Sequence, residues 1–173
     1  MKQILLKSKN FSVIRETLIS SSTGTATPTE YIWQPEVVIA VPVQEDGHII
    51  LVNHTRPILG LSLLECPGGK VDPGETVEGA IKRELEEEIG FTPSILEYVN
   101  YFFSSVGTST EKIHFFIAKG LLPHKRKMAD KKRMEIMHFR KDKIAEIFVR
   151  GELHDAKSII ALGYYLSANA IKG

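Results

Sequence analysis

Residues 69–91 read GKVDPGETVEGAIKRELEEEIGF. In the second half of this stretch Val77, Ala80, Ile81, Leu85 and Ile89 recur at helical spacing. Thr76 is a good N-cap and Gly90 a good stop, so the spacing predicts a helix over 76–89. Its last turns carry Glu84, Glu86, Glu87 and Glu88. The C-terminal end of a helix is already partly negative, and Glu84 and Glu88 repel each other at i,i+4. Something must offset that cost.

A helical projection locates it. With Glu84 at zero, Val77 falls at about 20°, Ile81 at about 60°, Leu85 at about 100° and Glu88 at about 40°. Glu84 and Glu88 therefore extend the apolar row, whereas Glu86, at about 200°, points away and is expected to be solvated. Carboxylates at the margin of a core need partners. No Lys or Arg follows them by four residues, and Arg83 can reach Glu87 but stands far round the helix from Glu88. Clustered hard oxygen ligands suit Mg2+ or Mn2+, and a bound divalent cation is the expected compensation.

The rest of the chain sets the frame. Its 173 residues fit one domain, 43% hydrophobic and 25% charged, with enough apolar content for a sizeable core. The single cysteine, Cys66, can form no intramolecular disulfide. The start, MKQILLKSKN, has too short an apolar run for a signal peptide, and no segment is apolar enough to span a membrane, so a cytoplasmic protein is expected. The net charge of +1 is uneven: residues 1–118 carry −6 and residues 119–150 carry +7. The densest basic run is HKRKMADKKR, 124–133, which is either a solvated loop or a grip on an anionic partner.

Working outward from the helix, residues 11–19 read as a strand and 20–30 as a loop or exposed strand edge. The continuous apolar run VVIAVPV, 37–43, reads as a buried strand, and Asp46-Gly47 marks a turn into the return strand IILVN. LSLLE, 61–65, is a short strand, and 67–74 is punctuated as a loop. Strands are expected at 95–103, 112–119 and 134–139, and helices at 142–150 and 155–170. Without a steady βαβ alternation, the pattern implies an α+β or layered mixed-sheet fold.

The opening stretch resembles the Nudix box, G-x5-E-x7-R-E-U-x-E-E-x-G-U with U a bulky apolar residue. It matches at Gly69, Glu75, Arg83, Glu84, Leu85, Glu87, Glu88, Gly90 and Phe91. The resemblance implies a Nudix fold, a mixed β-sheet sandwiched between α-helices (α/β/α), here with an N-terminal β-strand extension. It implies hydrolysis of a nucleoside diphosphate linked to another moiety. It also implies that Glu84, Glu87 and Glu88 bind divalent metal together with the carbonyl of Gly68, and that Arg83 orients a catalytic glutamate.

Flanking segments resemble the ADP-ribose and nucleotide-sugar pyrophosphatases of that family: HTRP (54–57), LLECPGGKVDPGE (63–75), SSVGTSTEKIHFF (104–116) and GELHDAKSIIAL (151–162). By that likeness Arg56 contacts the pyrophosphate, and Glu65 supports the metal site or the substrate. The alternatives are a surface arginine and a satisfied buried acid. Gly107 lies in a substrate loop. Trp33 either stacks on a base or packs in the core or at an interface. Two departures stand out. Val106 replaces the proline of the S-P-G motif, and the glutamate-rich loop that supplies a base in some relatives reads ADKKRM here. Either Asp130 or a box glutamate then serves as base. The expected partners are a nucleotide-sugar substrate and a second copy of the chain, with residues 1–36 as a dimerisation extension to a domain at 37–173. Removal of an RNA 5′ pyrophosphate and non-catalytic nucleotide-sugar sensing are the rival readings.

Overall fold

The computed structural model describes residues 2–124 and 134–171. Among the described residues, ten strands and three helices follow in the order β1 (Gln3–Lys7), β2 (Ser12–Ile19), β3 (Ala26–Trp33), β4 (Val37–Pro42), β5 (Ile49–Arg56), β6 (Leu61–Glu65), β7 (Gly68–Lys70), α1 (Val77–Glu88), β8 (Phe91–Phe103), β9 (Lys112–Pro123), β10 (Met134–Phe139), α2 (Lys141–Val149) and α3 (Ala156–Ile171). This is an α+β architecture.

The run at 37–43 is apolar throughout because both faces of β4 are covered. Alternate residues Val37, Ile39 and Val41 pack with Ile49, Leu51, Phe115 and Ile117 against Ile144 and Ile147 of α2 and Ala161 and Leu162 of α3. Between them Val38 and Ala40 pack with Ile50, Val52 and Phe116 against Ala80, Ile81, Leu85 and Ile89 of α1. The period-two alternation thus sends one half of each central strand to α1 and the other half to α2 and α3. The layers are helix, sheet, helix.

Two sheets carry this core, β7-β4-β9-β8 and β10-β5-β6, and the N-terminal strands form a separate sheet, β1-β2-β3. Strands β4 and β9 run parallel, and the other pairs are antiparallel. The Asp-Gly turn forms as read, with Gly47 at φ 84° and the His48 N–H bonded to Asp46 Oδ1 at 3.0 Å. Strand β8 starts at Phe91, four residues before its expected start, and includes Pro93, which an edge strand tolerates because its outer N–H positions need no partner.

One expectation needs correcting. Part of the segment read as a loop, Gly68–Lys70, is a strand that pairs with β4 through Ile39 opposite Gly68 and Val37 opposite Lys70. Glycine lacks a side-chain signal for a strand, yet its backbone pairs like any other. Strand β1 gave no signal of its own, because all five of its residues are exposed.

Candidate active site

Helix α1 starts as its sequence dictates, with Thr76 Oγ1 accepting from the Gly79 N–H at 3.0 Å. Gly90, at φ 75°, turns the chain out of it into β8. Ala80, Ile81 and Leu85 are buried against the sheet, which brings the glutamate row up against β7. The Gly68 N–H donates to Glu88 Oε2 at 2.9 Å. This approach requires glycine. A Cβ on Gly68 would collide with the Val38 carbonyl and the Ile39 Cα, and one on Gly69 would run into the Glu84 carboxylate.

Arg83 ties the box together. Its Nε and Nη2 fork onto Glu75 at 3.0 and 2.9 Å, and Nη2 also donates to the Lys70 carbonyl at 2.9 Å. Its Nη1 donates to Glu84 Oε1 at 2.7 Å and stands 3.6 Å from Glu87 Oε2. Glu84 thus has a basic partner in its immediate neighbour, which counting in steps of four did not reveal: a long arginine folds back across the helix surface.

Glu86 is the other correction. It is not solvated: its side chain is 17% exposed, Oε1 accepts from Thr92 Oγ1 at 2.8 Å, and His124 Nδ1 lies 3.6 Å away. The start of β8 folds back against the far side of α1 and covers it. Only the tertiary path of the chain past Gly90 decides this.

Burial raises the proton affinity of both carboxylates on the apolar row. Glu84 is pushed up by desolvation, against the pull of Arg83. Glu88 is pushed up to about 8, chiefly by desolvation, with the Gly68 N–H opposing and the nearby Glu84 adding to the rise.

Arg56, near the end of β5, forks onto Glu65 at the end of β6, with Nε and Nη2 at 2.8 and 2.5 Å from the two oxygens. Glu65 is 4% exposed, and the arginine side chain is 41% exposed. The pair opens onto a cavity of about 430 Å3, whose lining includes Gly68 and Gly69. Glu88 and Glu84 lie directly behind those two glycines. A larger cavity of about 790 Å3, between the β4–β5 turn, α2 and α3, contains none of the candidate site residues.

Trp33 and Gly107 lie on adjoining segments but not in this cavity's lining. Ile32 exchanges backbone bonds with the loop at Thr108 and Thr110, and Gln34 Nε2 donates to Ser109 Oγ at 3.0 Å. Trp33 is 46% exposed, so it is no core residue of the single chain. Asp130 lies outside the described residues.

Sequence reasoning missed Glu111 and Asp155, which also line the cavity. Asp155 caps α3: its Oδ2 accepts from the Ser158 N–H at 3.0 Å and the Ser158 hydroxyl at 2.6 Å. The same hydroxyl accepts from the Cys66 N–H at 2.7 Å, which pins the strand ending in Glu65 to the start of the helix. The signal was present as Asp-x-x-Ser ahead of the apolar run, a helix-start signature.

Among the described residues no three Asp, Glu, His or Cys side chains are already gathered around one point. The donor set nevertheless fits a hard divalent cation. Glu84 and Glu88 offer carboxylate oxygens whose charge is costly where they stand, beside Gly69 and Gly68 respectively.

Residues 33–158 match the NUDIX domain family model. The chain belongs to the Nudix family and is a Nudix pyrophosphohydrolase. It is 32% identical over 151 residues to an ADP-ribose pyrophosphatase of Bacillus subtilis (strain 168), covering 86% of this chain and 82% of the relative. With the same coverage it is 27% identical to a methanol dehydrogenase activator of Bacillus methanolicus. A crystal structure of an ADP compounds hydrolase superposes with a TM-score of 0.81 over 100% of this chain and 92% of that one. At 24% identity this likeness speaks for the fold alone. Nudix hydrolases generally use divalent metal ions.

Proposed function

We propose that the chain hydrolyses the pyrophosphate bond of a nucleoside diphosphate sugar of the ADP-ribose, ADP-glucose or GDP-mannose type. The products are a nucleoside monophosphate and a sugar phosphate. One observation carries the reading: the Arg56–Glu65 fork opens onto the cavity lined by Gly68 and Gly69, and Glu88 and Glu84 of α1 reach those same two glycines. The likeness to the B. subtilis ADP-ribose pyrophosphatase supports the same substrate class.

Glu84, Glu87 and Glu88, with the Gly68 carbonyl, would hold Mg2+ or Mn2+. When bound, the ion neutralises diphosphate charge and acidifies a water. The protein's own groups do the rest. Glu65 occupies one edge of the Arg56 guanidinium and fixes its plane, which leaves further N–H donors for phosphate oxygens. Arg83, held by Glu75 and the Lys70 carbonyl, fixes the Glu84 carboxylate. A carboxylate takes the proton of the attacking water, and the bridging oxygen leaves with the other phosphate. The base is a box glutamate or Asp130: full kcat in D130N would leave it in the box. Trp33 and Gly107, on adjoining segments, are assigned to the far end of the substrate.

The N-terminal sheet is read as a homodimer contact, because Ile4, Leu6, Leu18 and Ile19 stand exposed on β1 and β2. A monomeric mass by light scattering at micromolar concentration would remove that assignment.

The substrate reading is tested by a product-resolved hydrolysis panel with Mg2+, containing ADP-ribose, ADP-glucose, GDP-mannose, UDP-glucose and a 5′-triphosphorylated RNA. Cleavage of nucleotide sugars to monophosphates is expected. Cleavage of the RNA alone would transfer the assignment to the RNA-directed reading, and binding without cleavage would favour a sensor.

A further inference from the structure

We propose that Lys157 is a second phosphate-binding cation of this site, sharing the cavity with Arg56 and gripping the diphosphate of the substrate; the proposal rests on the pyrophosphatase reading above. Lys157 lines the same cavity as Arg56, Gly68 and Gly69. It stands in the first turn of α3, where the helix end is positive and a lysine is electrostatically misplaced. An anion at the cavity mouth offsets that cost.

The local bonding is that of a cation held ready. Asp155 divides its carboxylate: Oδ2 takes Ser158, and Oδ1 takes Lys157 Nζ at 2.7 Å. The acid side chain is 10% exposed and the lysine 30%, so the pair anchors the ammonium at the cavity rim instead of burying it. An ammonium has three N–H donors, and Asp155 takes one. Lys70, the other lysine of the cavity, donates to Asn10 Oδ1 at 2.8 Å and is committed to the N-terminal segment. Arg56 and Lys157 are each balanced by one acid, Glu65 and Asp155 respectively. A diphosphate arriving beside the box glutamates therefore needs both. Lysine suits this task as a point charge beside the planar arginine fork.

The test measures ADP binding by calorimetry, with and without Mg2+, and steady-state hydrolysis of ADP-ribose, for wild type, Lys157→Met, Lys157→Arg and the surface control Lys143→Met. Lys157→Met is expected to weaken ADP binding and raise KM by about tenfold or more, with kcat moving far less. The salt dependence of ADP binding should flatten, while Lys157→Arg keeps most of the affinity. ADP binding unchanged in Lys157→Met, or weakened equally in Lys143→Met, overturns the proposal. So does a fall in kcat with ADP affinity intact, which would make Lys157 only a helper of the Asp155 cap. If Lys157→Met fails to fold, Lys157→Gln is read by the same measurements. Wild type that binds ADP through Lys157 but cleaves no nucleotide sugar would sustain the phosphate contact and remove the pyrophosphatase reading.

Discussion

Glu88→Gln offers the most direct check on the electrostatics of α1. The Glu88 carboxyl takes its proton at about 8 in the fold, against an ordinary value of 4.5. The protonated form is therefore the one the metal-free fold prefers. Its stabilising contribution is complete below the ordinary value and is lost as the pH rises toward about 8. At 1.36 kcal/mol per pH unit the full loss would be roughly 5 kcal/mol. The residue is only partly buried by surface area, so about half of that, ~2–3 kcal/mol, is the working figure. Glutamine is neutral at every pH and can still accept the Gly68 N–H. In EDTA, wild type and variant should melt alike near pH ~5, and the variant should be higher by roughly 5–10 °C near pH ~8. Excess Mg2+ at the higher pH should raise the wild-type Tm and leave the variant nearly unmoved. Calorimetric melts over this pH range make the comparison. Parallel pH profiles for the two proteins would refute the claim that burial of Glu88 sets its charge.

Four further outcomes follow from contacts described above. Gly68→Ala places a methyl group against the β4 backbone, which cannot move aside, and should cost about 1–3 kcal/mol in a denaturant melt. Gly69→Ala meets only the Glu84 side chain, which must swing away from Arg83, so it should lower kcat with little loss of stability, and an unchanged kcat would contradict that geometry. Ser158→Ala strips the buried Cys66 N–H of its acceptor and should destabilise by about 1–3 kcal/mol in the same melt. Glu65→Gln releases one side of the Arg56 fork and should raise KM for a nucleotide sugar by about tenfold, visible in steady-state kinetics.

The elements that sequence patterning captured are those whose side chains repeat with the geometry of the backbone. The period of α1, its Thr76 cap and its Gly90 exit are local properties and form as read. The unbroken apolar run of β4 required cover on two faces, and α1 on one side with α2 and α3 on the other supply it. Strand β7 was illegible because Gly68 and Gly69 have no side chain to alternate, and β1 because it buries nothing.

For the site, the sequence by itself determined that carboxylates crowd the unfavourable end of α1 and that glycines precede them, because both follow from residue order and helical pitch. Only the tertiary structure decided which charges meet. Arg83 folding onto Glu75 and Glu84, Arg56 clamped by Glu65, Glu86 covered by Thr92, and Asp155 of α3 tied through Ser158 to Cys66 are mostly contacts between separate elements. The physical reason is range. Backbone periodicity is fixed within a few residues, whereas a buried charge is satisfied by whatever the fold carries to it.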